Sequence, residues 1–179
     1  MELTDYLNFR MSRNDKRFGD HQTHYFSTHF YSMLCEQGPE GVQRWTAKKG
    51  LDIFSKRLIF VPVNKALHWS LTVIVNPGAI KSHFEVLNKR TEQAESGELL
   101  IEPEDLDKPC PAFLFFDSLE CHSKTTVAGK LRKWLNAEWN RRAKEMNDDV
   151  TDPFNQRSMK IFHPEGPYAR VKFCCILFY

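Results

Sequence analysis

Several features that mark membrane or secreted proteins are missing from this sequence. It has no apolar run of the roughly 18 residues that a helix needs to cross a bilayer. Its first residues, Met1–Asp5, lack the basic and apolar regions of a secretory signal. These absences lead us to expect a protein without a membrane partner, located in the nucleus, the cytoplasm or both.

A large excess of charge of one sign is also missing. The 25 Lys and Arg residues nearly balance the 23 Asp and Glu residues, and the net charge is only +2. Such a balance does not favour a nucleic-acid-binding surface, so we expect protein or small-molecule partners instead. A chain of 179 residues can bury one hydrophobic core, which predicts a single, monomeric domain over residues 1–179.

No paired-cysteine metal motif is present either. The five cysteines are irregularly spaced, and without a secretory signal we interpret them as reduced thiols. The cluster His21, His24, His29 and Cys35 also brings metal-binding side chains close in sequence. On a helix, His21 and His24 would share one face, but Cys35 would lie about three turns away. The sequence therefore predicts no metal site and no cofactor.

Short apolar stretches rich in β-branched and aromatic residues predict neighbouring strands of a central sheet. They span residues 58–63, 69–75 and 112–116. His68 opens the second stretch and Asp117 closes the third, so two ionisable side chains lie at strand ends. A histidine and a carboxylate are the base and its orienting partner in many nucleophilic active sites.

Helical periodicity predicts four helices, over residues 3–14, 23–35, 41–48 and 124–146. The second should end before Gly38, which is followed by a proline. The fourth is the longest and carries an apolar stripe that should face the sheet. This stripe consists of Val127, Leu131, Trp134, Leu135 and Trp139, whereas Arg132, Lys133, Asn136, Asn140 and Lys144 should face solvent.

The composition changes between the predicted strands, at residues 79–111. This segment is polar and charged, and its second half is acidic with prolines. We interpret it as a surface insertion that is partly disordered and that leaves and re-enters the same domain. Near the end of the chain, Met159–Phe162 is a candidate for a further short strand.

Four motifs occur in order along the chain: LTDYLNF at residues 3–9, DIF with IFVPVN within 52–64, HWSL at 68–71 and FDSL at 116–119. Together they resemble the ubiquitin-like-protein proteases, cysteine peptidases that process SUMO and remove it from conjugates. The long insertion after the HWSL strand is most similar to the subfamily that edits poly-SUMO chains. The resemblance implies an α+β, papain-like fold with a central mixed sheet flanked by helices, truncated at the C-terminus.

The resemblance also implies a Cys-His-Asp triad that acts on SUMO, or another ubiquitin-like protein, and its conjugates. His68 would be the general base, and Asp117 would hold its imidazole in the required tautomer. Trp69 would cover a narrow channel, and because glycine has no side chain, only a Gly-Gly tail would pass beneath a fixed indole. The implied activity is that of a SUMO-specific cysteine isopeptidase that cleaves after this tail.

The nucleophile departs from the family pattern, in which a Gln lies six residues before the cysteine and Asp and Gly flank it. If Cys174 takes this place, Tyr168 replaces the Gln, Phe173 the Asp and Cys175 the Gly. Choosing Cys175 as the nucleophile gives no better match. Residues 164–179 are therefore a divergent tail, and two expectations stay open. Either Cys174 is the nucleophile, or the chain is an inactive SUMO-binding module or a truncated fragment without one.

Overall fold

A mixed sheet of five strands forms the centre of the protein. The computed structural model describes residues 22–47, 50–96, 109–146 and 149–163. The three middle strands of the sheet are antiparallel, and each outer strand pairs in parallel with its neighbour. In spatial and chain order the strands are β1 (Thr23–Tyr25), β2 (Leu58–Lys65), β3 (His68–Val75), β4 (Ala112–Phe116) and β5 (Lys160–Phe162). The expected central mixed sheet is confirmed.

Three helices flank the sheet: α1 (Phe30–Ala47), α2 (Ile80–Ser96) and α3 (Lys124–Met146). Helix α1 consists of two helical pieces joined by a kink, because Gly38 has a left-handed φ of 71°. A residue in the left-handed conformation ends a helix, and glycine adopts this conformation easily because it has no side chain. The following Pro39 suits the first turn of the next helical piece. The predicted break between two helices is therefore confirmed.

The helix predicted over residues 23–35 is wrong in its first part, because Thr23–Tyr25 is a strand. This strand pairs in parallel with β2, and the Tyr25 ring stacks on Phe60 with centroids 4.5 Å apart. Phe26, which follows the strand, donates its N–H to the Phe60 carbonyl at 2.9 Å. Pairing with β2 thus determines the strand conformation of Thr23–Tyr25. Of the predicted segment, only the part from Phe30 onward is helical, as the start of α1.

Helix α3 has the predicted bounds, and its apolar stripe is buried against the sheet. Trp134 lies at the centre of this core, with its ring 5.0 Å from Phe30 and 5.4 Å from Phe26. Burying one large apolar side chain contributes about 1.5–3 kcal/mol. The stripe therefore supplies a major part of the stability that holds α1, α3 and the sheet together.

Two polar residues of α3 that were expected to face solvent instead hold the chain after the helix. Arg132 is buried and donates to the Met159 carbonyl from both Nε (3.2 Å) and Nη2 (2.7 Å). The Asn136 amide donates to the Phe154 carbonyl and accepts its N–H. Their side chains pair with backbone groups of the segment after the helix, which holds the approach to β5 against α3.

Within the predicted insertion, residues 80–96 form the regular helix α2 rather than a disordered segment. Ile80 and Val86 are buried, while Lys81, Ser82 and Glu85 are exposed, so the helix lies on the surface with one side on the domain. In the part of the chain that the structure describes, no helix is both long and apolar enough to cross a membrane. The predicted helix at 3–14 lies outside the described residues.

Candidate active site

His68 is placed by a tight turn between two strands. Lys65 pairs with His68 across β2 and β3, so only Ala66 and Leu67 connect the strands. Both connecting residues have positive φ angles, 54° and 60°, as a two-residue hairpin turn of this kind requires. His68 is therefore the first residue after the turn, with its side chain at the end of the sheet.

Asp117 arrives at the same end of the sheet from β4. The β3–β4 pairing ends at Leu71 and Phe116, so Asp117 lies one residue beyond the ladder, beside Ser70. Side chains alternate between the faces of a strand, and this register puts His68, Ser70 and Asp117 on one face. The antiparallel register of three strands is thus sufficient to bring the two predicted residues together.

The His68 and Asp117 side chains form a direct hydrogen bond. Nε2 of His68 lies 2.5 Å from Oδ1 of Asp117, and the carboxylate has no exposed area. A carboxylate can only accept, so Nε2 carries the hydrogen and the other ring nitrogen, Nδ1, keeps the lone pair in the neutral ring. The arrangement fixes which nitrogen can take up a proton.

Asp117 accepts two further hydrogen bonds, from the backbone N–H groups of Leu119 (3.2 Å, to Oδ1) and His122 (2.8 Å, to Oδ2). Burial on its own would raise the pKa of this carboxyl. The hydrogen bonds from His122, His68 and Leu119 outweigh that effect and lower its pKa from 3.8 to about 2. Asp117 therefore remains a carboxylate at neutral pH, able to stabilise a positive charge on His68.

A second histidine, His122, lies next to this pair and was not predicted as a site residue. Its Nε2 is 2.9 Å from the Lys65 carbonyl and its Nδ1 is 2.8 Å from the Ser70 hydroxyl. Its ring centroid is 5.0 Å from that of His68. His122 lies in the polar turn between β4 and α3, where nothing in the sequence distinguishes it from an ordinary turn residue.

Trp69 follows His68 in β3 and points to the opposite face of the sheet. Its side chain is an exposed large apolar group, with 52% of its surface accessible. Consecutive strand residues alternate between faces, so the indole and the imidazole are separated by the strand itself. An aromatic side chain with this much free surface is available to contact a bound chain.

Of the described residues, His68, Asp117 and His122 form the one group that could hold a metal ion, with ligand atoms within 4.8 Å of one another. Nitrogen and carboxylate oxygen ligands of this kind suit Zn²⁺. Nε2 of His68, both ring nitrogens of His122 and Oδ1 of Asp117 are already engaged in hydrogen bonds with one another, Ser70 or Lys65. A metal ion would therefore have to compete with the His68–Asp117 hydrogen bond.

The third predicted catalytic residue, Cys174, lies outside the described residues, as does Cys175. The cysteines that the structure describes are Cys35, Cys110 and Cys121, and each is exposed and outside any disulfide. Cys121 is the neighbour of His122 in the chain, and its Sγ lies 3.5 Å from the Leu119 carbonyl. The structure thus brings His68 and Asp117 together, while the predicted nucleophile lies outside the described residues.

Comparison with known proteins connects this geometry to a family. A model of the Ulp1 protease family, C-terminal catalytic domain, matches residues 2–168. The probable ubiquitin-like-specific protease 2B of Arabidopsis thaliana is 29% identical over 188 residues, covering 97% of this chain and 17% of that protein. Sentrin-specific protease 2 of Homo sapiens is 44% identical over 69 residues, covering 38% of this chain and 11% of that protein. The chain thus spans less than a fifth of either relative.

A solved structure described as a crystal structure of the de-sumoylating protease has a similar fold. It superposes with a TM-score of 0.56 at 20% identity, covering 89% of this chain and 51% of that one. At this identity the likeness shows the fold alone, and it confirms the expected α+β protease fold. The family model covers nearly the whole sequence, including both His68 and Asp117. The chain therefore belongs to the Ulp1 protease family.

Proposed function

We propose that this domain is a cysteine isopeptidase that cleaves after the Gly-Gly tail of SUMO or another ubiquitin-like protein. The observation that carries the proposal is the 2.5 Å hydrogen bond between His68 Nε2 and the buried Asp117 carboxylate. A histidine held in this way has the geometry of a general base. Relatives named as ubiquitin-like-specific and sentrin-specific proteases support the choice of substrate.

In the proposed reaction, Nδ1 of His68 takes the proton of the nucleophilic thiol, and Asp117 stabilises the imidazolium. The thiolate attacks the carbonyl carbon of the terminal glycine and forms a C–S bond. The C–N bond to the lysine amine then breaks, and Nδ1 returns its proton to the leaving nitrogen. Water hydrolyses the thioester with the same histidine as base, which releases a free glycine carboxylate and restores the thiol.

We assign the nucleophile to Cys174 on the strength of the family resemblance. The residues that flank this cysteine differ from the family pattern, with Tyr168 in place of the Gln that would donate to the oxyanion. A tyrosine hydroxyl can also donate a hydrogen bond, so this replacement does not by itself remove an oxyanion donor. The assignment therefore predicts that the thiol of Cys174 is the group that reacts with the substrate.

Trp69 is proposed to contact the tail of the bound ubiquitin-like protein. Its half-exposed indole lies one residue after His68, on the opposite face of β3, and offers an apolar surface at this end of the sheet that a bound chain can contact. Glycine residues can approach an aromatic face closely because they have no side chain. Substituting Trp69 by Ala should therefore weaken binding of a ubiquitin-like protein while leaving the His68–Asp117 hydrogen bond intact.

The second candidate function is a non-catalytic module that binds the tail of a ubiquitin-like protein without cleaving it. The replaced residues around Cys174 favour this alternative, while Trp69 and the preserved base are compatible with both. In either case we propose a monomer in the nucleus or cytoplasm. The exposed cysteines of the described residues, Cys35, Cys110 and Cys121, form no disulfide, which fits such a reducing compartment.

The test uses SUMO with a C-terminal vinyl sulfone, an electrophile that captures a thiol in the active site. We expect a covalent adduct with the full chain that disappears in Cys174→Ala and slows strongly in His68→Ala. Cys121→Ala is the matched control, because Cys121 is an exposed thiol near the same site and its loss should not affect the adduct. An adduct that needs Cys121 instead would refute the assignment of Cys174. Binding without any adduct would establish the second candidate, and neither binding nor adduct would reject both.

A further inference from the structure

We propose that the imidazole of His122 is a positioning residue that fixes the geometry of the His68–Asp117 pair. This inference rests on the proposed function for its catalytic meaning, but the structural link that it describes can be tested without catalysis. The His122 ring joins two segments that arrive separately at the site. One is the β2–β3 turn that carries His68, and the other is the loop after β4 that carries Asp117.

The contacts of His122 reach both segments at once. Its backbone N–H donates to Oδ2 of Asp117 at 2.8 Å, so the residue is attached to the Asp117 loop. Its ring reaches the Lys65 carbonyl from Nε2 at 2.9 Å and the Ser70 hydroxyl from Nδ1 at 2.8 Å. Lys65 and Ser70 lie on either side of His68 in the hairpin. The ring is therefore a brace between the Asp117 loop and the strands next to His68.

The proton positions in this brace follow from its partners. A backbone carbonyl can only accept, so Nε2 of His122 must carry a hydrogen and donate it to Lys65. In the neutral ring Nδ1 is then an acceptor for the Ser70 hydroxyl. Both ring nitrogens are occupied in one tautomer, which holds the ring in a single orientation. A ring fixed at both nitrogens therefore holds the hairpin at a defined distance from the Asp117 loop.

The β2–β3 turn, which the His122 ring contacts through Lys65, has a backbone conformation that is unfavourable for its residues. Ala66 and Leu67 both adopt left-handed backbone angles, which side-chain-bearing L residues other than Asn and Asp rarely do. The Leu67 side chain is fully exposed, so no packing of its own holds it in this conformation. The hydrogen bond from His122 to Lys65 attaches the turn directly before the strained pair. Without it, the turn before His68 would lose this side-chain hydrogen bond to the Asp117 loop.

Three substitutions separate the parts of this brace while keeping the backbone N–H that binds Asp117. In His122→Gln, the side-chain amide nitrogen can still reach the Lys65 carbonyl. In His122→Asn, the shorter amide can replace only Nδ1, and in His122→Ala both ring contacts are lost. His29→Ala is the matched control, because His29 is exposed and belongs to a different part of the chain.

The first readout is the ¹H–¹⁵N correlation spectrum of the histidine side chains, which distinguishes the two imidazole tautomers. In the full chain we expect His68 in the Nε2–H form, with a low-field proton from its hydrogen bond to Asp117. His122→Ala and His122→Asn should broaden or remove that resonance, whereas His122→Gln and His29→Ala should retain it. An unchanged His68 signal in His122→Ala would overturn the proposal, whatever the reactivity of the protein.

The second readout is the rate of adduct formation with the SUMO vinyl sulfone. We expect His122→Ala to slow it by roughly 10- to 100-fold, the effect of misplacing a catalytic group by a fraction of an ångström to an ångström. His122→Gln should recover most of this loss. Equal rates in the full chain and in His122→Ala would refute the proposal. If the full chain forms no adduct, the proposed peptidase activity fails while the spectrum still decides the role of His122.

A relaxed turn provides an independent check. Replacing Ala66-Leu67 by Asn-Gly supplies residues that favour the left-handed conformation, so the turn should need less support. In this background, His122→Ala should perturb the His68 resonance less than it does in the natural chain. A perturbation of equal size in both backgrounds would show that His122 does not act through the turn.

Discussion

The β2–β3 turn allows a stability prediction that can be worked out from its geometry. Ala66 and Leu67 have φ angles of 54° and 60°, in the region that L residues with side chains disfavour. Two-residue hairpin turns of this kind prefer Asn followed by Gly. The double substitution Ala66→Asn and Leu67→Gly should therefore stabilise the domain.

The expected gain follows from three contributions. A left-handed conformation costs roughly 1–2 kcal/mol for each non-glycine residue, and the substitution removes much of this cost. Leu67 is fully exposed, so truncating it sacrifices no buried area. Glycine adds flexibility to the unfolded chain, which takes back roughly 0.5–1 kcal/mol. The free energy of unfolding should rise by about 1–2 kcal/mol, and each kcal/mol should raise Tm by about 2–4 °C in a domain of this size.

Urea unfolding of the full chain, followed by tryptophan fluorescence and far-UV circular dichroism, measures this change. The midpoint should rise while the slope of the transition stays constant, since the exposed surface is unaffected. The control is Lys133→Gly, at an exposed position in the middle of α3, where glycine should destabilise by about 1 kcal/mol. An unchanged or lower midpoint for the Asn-Gly variant would refute the idea that the turn is strained.

Three further predictions concern other parts of the structure. Because the folded-state pKa of Asp117 is about 2 and its ordinary value is 3.8, its contribution to stability is present above about pH 4 and is lost as the pH falls toward 2. The difference in unfolding free energy between the natural chain and Asp117→Asn should shrink over that range. Zn²⁺ should slow adduct formation reversibly by binding His68, Asp117 and His122. Arg132→Met should lower the free energy of unfolding by about 1–3 kcal/mol, because it removes both hydrogen bonds that the buried Met159 carbonyl accepts from the guanidinium.

Each of these predictions has its own control. A difference between the natural chain and Asp117→Asn that stays constant from neutral pH to pH 2 would contradict the lowered pKa. A chelator should restore adduct formation after Zn²⁺, and His122→Ala should be less sensitive, so equal inhibition of both proteins would locate the ion elsewhere. Lys133→Met, at the exposed neighbour of Arg132, should change the unfolding free energy by less than about 0.5 kcal/mol.

The parts of the fold that could be predicted from the sequence are those in which local pattern and tertiary contact agree. Helix α3 has the predicted bounds because its apolar stripe repeats at helical spacing and faces a single surface. Thr23–Tyr25 was assigned to a helix because its strand conformation depends on pairing with β2, more than 30 residues away. Arg132 was expected in solvent because it is charged, and the sequence does not show that the Met159 carbonyl lies within hydrogen-bond distance in the fold.

The residues of the site also divide into those with a local sequence pattern and those that depend on tertiary contacts. His68 and Asp117 could be predicted because each one places an ionisable side chain at the end of an apolar strand. His122 could not, since its importance arises only from the folded distances to Lys65 and Ser70. Residues that act by supporting others have no chemical signature of their own, and they become visible only when the hydrogen bonds are known.

The two-residue turn also limits how this region can evolve. Strand side chains alternate, so the length of the turn decides which face of the sheet His68 occupies and which face Trp69 occupies. Inserting or deleting a single residue there would exchange the two faces and reverse every side chain of β3 relative to the core. In a library of length variants, changes by one residue should be eliminated far more strongly than changes by two. The proposed roles of His68 and Trp69 therefore both depend on the register of one strand.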